Sequence, residues 1–139
     1  MRNVEELGVE EMKKMTLWGR DEQDDRLVLE VIRGEKTATC TPKVWYYDSP
    51  EELPTEVGDL VTVHDQQGNH RCTIRITENY EIRFGDVDER IAKAENSNSV
   101  GEFGKDHIVS WKEALRQEGI GLDDDTIIVV EHFELVEEK

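Results

Sequence analysis

The sequence predicts an α+β domain in which several strands form a closed sheet and helices lie at its periphery. Leu60 to Asp65 and His70 to Thr77 alternate apolar and polar residues on either side of Gln66-Gln67-Gly68-Asn69, the pattern of a half-buried hairpin. Thr126 to Val136 reads as a long closing strand, and apolar residues recur at helical spacing in the segments around these strands. With 139 residues, 36% of them apolar and 36% charged, the chain suits one globular domain with its own core.

Taken in order, Asn3 and Glu6 form a capping box for a first helix running to about Lys14, weakened at Gly8. This gives a helical extension over residues 1–16, packed outside a core of about residues 17–136. The next helix opens on Asp21, Glu22, Asp24 and Asp25, which suit a positive helix N-terminus. It sets Leu27, Val28, Val31 and Ile32 on one side, and Gly34 falls where a left-handed residue ends a helix. Lys43 to Tyr47, aromatic and β-branched, reads as a strand, and Asp48 to Glu56, with Pro50 and Pro54, as a loop. After the hairpin, Tyr80 to Phe84 extends the sheet. Asp86 to Ala94 carries Val87, Ile91 and Ala94 at helical spacing, which places Glu95 at a helix end. Ile108, Trp111 and Leu115 mark another helix, ended by Gly119.

Function is best sought in Arg33-Gly34-Glu35-Lys36-Thr37-Ala38-Thr39, where a helix-ending glycine precedes a lysine and two threonines in a strongly acidic chain. Lysine donates charge-assisted hydrogen bonds or, when desolvated, becomes a base, and threonine supplies a hydroxyl nucleophile. A turn can bring Lys36 and Thr39 to one pocket. The same residues on their own also read as a capped helix running into a solvated loop. Glu95 sits at an electrostatically poor place, a carboxylate at the negative end of a helix, which favours a reason for it beyond helix formation. Trp45, Tyr46 and Tyr47 offer faces for stacking a base; in an extended segment Trp45 and Tyr47 share a side and Tyr46 points away.

Four segments together resemble the ASCH family, related to the PUA-like RNA-binding barrels: Val31 to Thr39, Leu53 to Asp59, Arg71 to Thr77, and Phe84-Gly85-Asp86-Val87 leading into Ala92 to Asn96. Their order and spacing match from about Leu17 to Leu135, and Gly-x-Lys-Thr-x-Thr is the most specific element. The resemblance implies a PUA-like barrel with peripheral helices. Some ASCH proteins resemble small amidohydrolases that remove acyl groups from the exocyclic nitrogen of cytidine, with a lysine, a threonine and a glutamate whose roles fall here on Lys36, Thr39 and Glu95. Gly34, Thr37, Trp45 and Tyr47 are then expected around the ligand. Other members resemble ribonucleases or plain RNA binders, so the family leaves those readings open. The chain departs from the family pattern in Asp106-His107-Ile108-Val109-Ser110-Trp111-Lys112, where Lys112 replaces an arginine and His107 precedes the tryptophan.

Charge selects among these readings. A formal net charge of −16 repels phosphate backbones, so a long nucleic acid is disfavoured and a nucleoside, a nucleotide or a short RNA is the expected partner. Arg20, Arg26, Arg33, Lys36, Lys43, Arg71, Arg75 and Arg83 still leave room for a basic patch in mid-chain. His64, His70, His107 and His132 lack metal-ligand spacing, although His64 and His70 flank the hairpin turn; no metal and no cofactor are expected. Cys40 and Cys72 are expected to stay reduced. No signal peptide or membrane span is read, and the expected location is cytoplasmic. Substitutions at Lys36 and Thr39, read as loop residues, are expected to move stability by no more than about 1 kcal/mol.

Overall fold

The computed structural model describes residues 12–17, 21, 23–49 and 52–138. In chain order the elements are β1 (Lys13–Thr16), α1 (Arg26–Ile32), β2 (Ala38–Pro42), α2 (Lys43–Tyr46), β3 (Leu60–His64), β4 (His70–Arg83), a 3₁₀ turn (Phe84–Asp86), α3 (Glu89–Ala94), α4 (Val100–Gln117) and β5 (Ile127–Glu138). The five strands form a mixed half-barrel in the order β1-β3-β4-β5-β2 with the helices around it, the α+β architecture that the sequence predicts. β1 runs parallel to β3 and the other pairs are antiparallel. β4 pairs with β3 along its first part and with β5 along nearly all of its length. Register shifts between Thr73 and Ile74 and between Ile76 and Glu78 bend this long strand, which lets one sheet curl around a core.

Two apolar clusters hold the curl. Val28 and Val31 of α1 pack with Met15, Val61, Val63, Ile74, Ile76 and Phe133. Phe103, Trp111 and Leu115 of α4 and Ile91 of α3 pack with Cys40, Phe84, Ile128 and Val130. Cys40 and Cys72 are free thiols in different clusters. The hairpin forms as expected, with Gly68 at φ 87° in its turn. The His64 and His70 rings stack across it at 5.4 Å, and their nitrogens contact the Thr62 and Thr73 hydroxyls. Gly34 (φ 76°) and Gly119 (φ 78°) adopt the left-handed conformation read for them.

Three elements differ from expectation. α1 starts at Arg26 rather than at Asp21, so the expected acids precede the helix instead of forming its first turn. Lys43 to Tyr46 is a helical turn rather than a strand: Pro42, which cannot donate to a ladder, ends β2 and starts the turn with φ −53°. Its strand neighbour is β2 itself, which pairs with β5 along its full length. The helical extension expected over residues 1–16 does not include Lys13–Thr16, which is strand β1 against β3; there the register with a buried partner strand outweighs local helix propensity. Residues 1–11 of that extension, and Arg20 after it, lie outside the described residues. Among the described residues no helix is long and apolar enough to cross a membrane.

Candidate functional site

The turn after α1 positions the lysine. Gly34 N donates to Val31 O, and the Glu35 and Lys36 amides both reach back to Glu30 O at 2.9 and 3.1 Å, closing the helix end over one carbonyl. The chain then leaves with Glu35 and Thr37 exposed, while the Lys36 side chain turns inward and is only 3% exposed. Thr37 N donates to Ala94 O at 2.7 Å and Phe133 N to Thr37 O at 2.8 Å, so backbone bonds pin this segment between the end of α3 and β5.

Lys36 Nζ donates to Ala38 O at 2.7 Å and to Glu95 Oε1, fifty-nine positions along the chain. Glu95 caps the C-terminal end of α3, and Asn96, at φ 62°, takes the left-handed position that Asn tolerates better than most residues and turns the chain away. The other Glu95 oxygen, Oε2, faces His107 Nε2 at 3.1 Å. Burial pushes the Glu95 carboxyl up, but the charges and hydrogen bonds of Lys36 and His107 outweigh it and hold the group down at about 2. The contact is therefore between a carboxylate and a cation. His107 Nδ1 lies 2.7 Å from Phe103 O, so both ring nitrogens face acceptors, and the hydrogen bonding is complete only when the ring carries both protons. Phe103 stacks on His107 at 3.9 Å and Trp111 meets it edge-on at 4.7 Å, which fixes the ring. Burial, with the Glu95 charge adding to it, raises the Cys40 thiol well above its ordinary range, so this cysteine is a neutral neighbour rather than a nucleophile.

Lys36, Thr39, Cys40, Glu95 and His107 line one cleft of about 360 Å³. Its remaining charged lining among the described residues is Arg26, Glu30, Glu102 and Asp106, three acids to one base, and Arg26 lies 4.0 Å from Glu30. Of the mid-chain basic residues, Arg33, Lys43, Arg71, Arg75 and Arg83 likewise each lie within 4.0 Å of a carboxylate.

The other residues expected around the ligand go elsewhere. Gly34 and Thr37 border a separate open depression with Arg90, Lys93 and His132. Trp45 packs partly against the α4 cluster and donates to Glu118 at 2.6 Å, and Tyr47, 53% exposed, donates to Glu81 at 3.2 Å. The member of the aromatic trio that faces inward is Tyr46. Sequence reasoning missed His107 as a site residue, although its i,i+4 placement between Phe103 and Trp111 is the signal that could have found it.

Residues 14–137 match the family model of the ASCH domain. Among solved structures, an ASCH domain from Lactobacillus crispatus JV V101 superposes with a TM-score of 0.76 at 27% identity, covering 91% of this chain and 81% of that one. Protein EF3133 from Enterococcus faecalis V583 gives 0.73 at 27% identity, with 87% and 76% covered. The hypothetical protein PH0355, 14% identical, shares the fold at a TM-score of 0.56, with 88% and 97% covered. No curated protein matches the chain.

Proposed function

The chain belongs to the ASCH domain family, generally an RNA-binding PUA-like fold, and from that premise we propose that its cleft binds a nucleoside and hydrolyses an N-acyl amide on a cytidine-type pyrimidine. The observation that carries this reading is the convergence of Lys36, Thr39 and Glu95 on one cleft from the α1–β2 turn, the edge strand β2 and the end of α3. The excess of acids over bases in the described lining of the cleft favours a neutral nucleoside over a nucleotide or an RNA strand. It also counts against a ribonuclease or a phosphate reader built on Lys36, whose ammonium is already held by Glu95 and Ala38 O.

In the reaction, Thr39 Oγ attacks the acyl carbonyl carbon. Before Lys36 can accept the Thr39 proton it must shed one, and Glu95 is placed to take it. The tetrahedral intermediate collapses as the C–N bond breaks, Lys36 returns a proton to the departing exocyclic amine, and the acyl group remains as an ester on Thr39. Water then attacks the ester, giving the free acid and restoring the hydroxyl. His107 holds Glu95 in place from the far side.

The test is to incubate the purified protein with a panel of N4-acylated cytidines and follow free cytidine by chromatography. The proposal expects turnover that falls at least a hundredfold in Glu95→Gln. No cytidine release from any member of the panel would reject it and leave a binding module.

A further inference from the structure

Glu131 lies near the middle of β5, directly opposite Thr39 on β2 and Asn79 on β4, so a polar row crosses three strands of the sheet. Directly opposed residues have Cβ atoms about 5 Å apart, which sets the Glu131 carboxyl beside the hydroxyl assigned as nucleophile. The residue is 4% exposed. Its Oε2 accepts from Thr55 Oγ1 at 2.6 Å and from Tyr46 OH at 3.2 Å. Asn79 Nδ2 donates to both of these hydroxyl oxygens at 2.9 and 3.0 Å, which directs their own protons towards Glu131. Oε1, in contrast, accepts no hydrogen bond from any described residue.

The side chain lines a cavity of about 120 Å³ between the edge strands β1 and β2, together with Thr39, Thr41, Tyr46, Thr55 and Glu52. The cavity is about a third of the volume of the Lys36 cleft. The lining is rich in acceptors. Burial raises the Glu131 carboxyl above its ordinary range, more than the Thr55 and Tyr46 hydrogen bonds lower it; nearby Glu52 adds to the rise and Lys13 opposes it. Lys13 is itself paired with Asp59 at 2.7 Å, and Lys14 stands exposed at the rim.

We infer that this cavity takes a primary ammonium group carried by the ligand, with Glu131 Oε1 as its counter-ion and threonine hydroxyls as further acceptors. An ammonium has three donors and no acceptor, the complement of this lining. Thr39 and Leu17 line both this cavity and the Lys36 cleft, so the two are contiguous at the proposed nucleophile. Resting on the hydrolase reading, the ammonium belongs to the acyl half of the substrate: the favoured acyl group is a short aminoacyl chain whose carbonyl sits at Thr39 and whose amine reaches Glu131.

The binding test is independent of turnover. Isotope-labelled protein is titrated with methylammonium, with tetramethylammonium, which has the charge but no N–H donor, as the control. Saturable shifts at the amides of Thr39, Thr41, Val130 and Glu131 are expected with methylammonium alone. Affinity should fall at least tenfold in Glu131→Gln, several-fold in Thr41→Val, and also as pH is lowered, because binding needs the ionised carboxylate. Equal shifts with tetramethylammonium, or unchanged affinity in both variants, would overturn the inference. In turnover, the ratio of kcat/KM for N4-glycylcytidine to that for N4-acetylcytidine should exceed ten and collapse towards one in Glu131→Gln. Saturable, Glu131-dependent methylammonium binding without any turnover would retain the ammonium site and reject the hydrolase. Turnover of the acetyl substrate without methylammonium binding would do the reverse.

Discussion

At the scale of single residues, the structure changes what Lys36 is expected to do for stability. A loop lysine contributes little, but here the ammonium and the Glu95 carboxylate are both buried and bonded to each other, so the bound of about 1 kcal/mol expected from a loop position does not apply to Lys36. Removing one partner strands the other charge in the interior, and Lys36→Met or Glu95→Gln should each cost about 3–5 kcal/mol in denaturant unfolding. The double variant should cost less than the sum of the two, because neither charge is then left alone. Acid titration carries a matching signature. Glu95 is held at about 2 against an ordinary value of 4.5, so its contribution is fully present above the unfolded value and drains away as pH falls from about 4.5 towards 2. Stability measured across that window should fall less steeply in Glu95→Gln, and an unchanged slope would mean that the pair is not ionic. The lysine drew notice from the helix-ending glycine before it, but its association with Glu95 came from the family resemblance, with the awkward place of the glutamate at a helix terminus in mild support. The third partner, His107, was not legible: its role depends on α4 crossing the end of α3, which no local pattern encodes.

Among the elements, legibility followed how far each owed its shape to its own residues. The apolar face and glycine stop of α1, the hairpin and α4 were readable because their patterning agrees with their packing, whereas the acids from Asp21 to Asp25 suggested an earlier start for α1 than Arg26. α2 was not, because the β-prone run Lys43 to Tyr46 begins at a proline that ends one strand and cannot extend it. β1 was hidden for the opposite reason, its conformation being set by a parallel partner some forty-eight positions away. The turn after β4 offers a test at this scale. A Cβ on Gly85 would meet the Asp124 Cβ at 2.7 Å and the Asp124 backbone oxygen at 3.1 Å, whereas one on Gly104 of α4 meets nothing within 4 Å. Gly85→Ala should therefore destabilise by about 1–3 kcal/mol through overpacking. Gly104→Ala should stabilise by up to about 1 kcal/mol, because it removes a glycine from a helix interior. Thermal unfolding of the two variants checks both signs, and equal effects would contradict the close approach of Gly85 to Asp124.

For the whole molecule, charge and fold point in different directions and the charge should prevail. A PUA-like fold suggests RNA, but the chain carries −16 and the described basic residues of mid-chain are each matched by a carboxylate. Fluorescence anisotropy with a long single-stranded RNA should give weak binding that disappears at physiological salt. Nanomolar, salt-resistant binding would return the protein to the RNA-binding reading of its family. The central claim, that Thr39 is the nucleophile of an acyl transfer in the Lys36–Glu95 cleft, is most directly tested by hydrolysis of N4-acylcytidine in the Thr39 series, with intact-protein mass recorded in the same samples. Thr39→Ala should release no cytidine and show no mass gain, Thr39→Ser should retain a measurable part of the rate, and the wild-type protein should transiently gain the mass of the acyl group. Full activity in Thr39→Ala, with no acylated protein at any time, would contradict this claim and assign the attack to water instead.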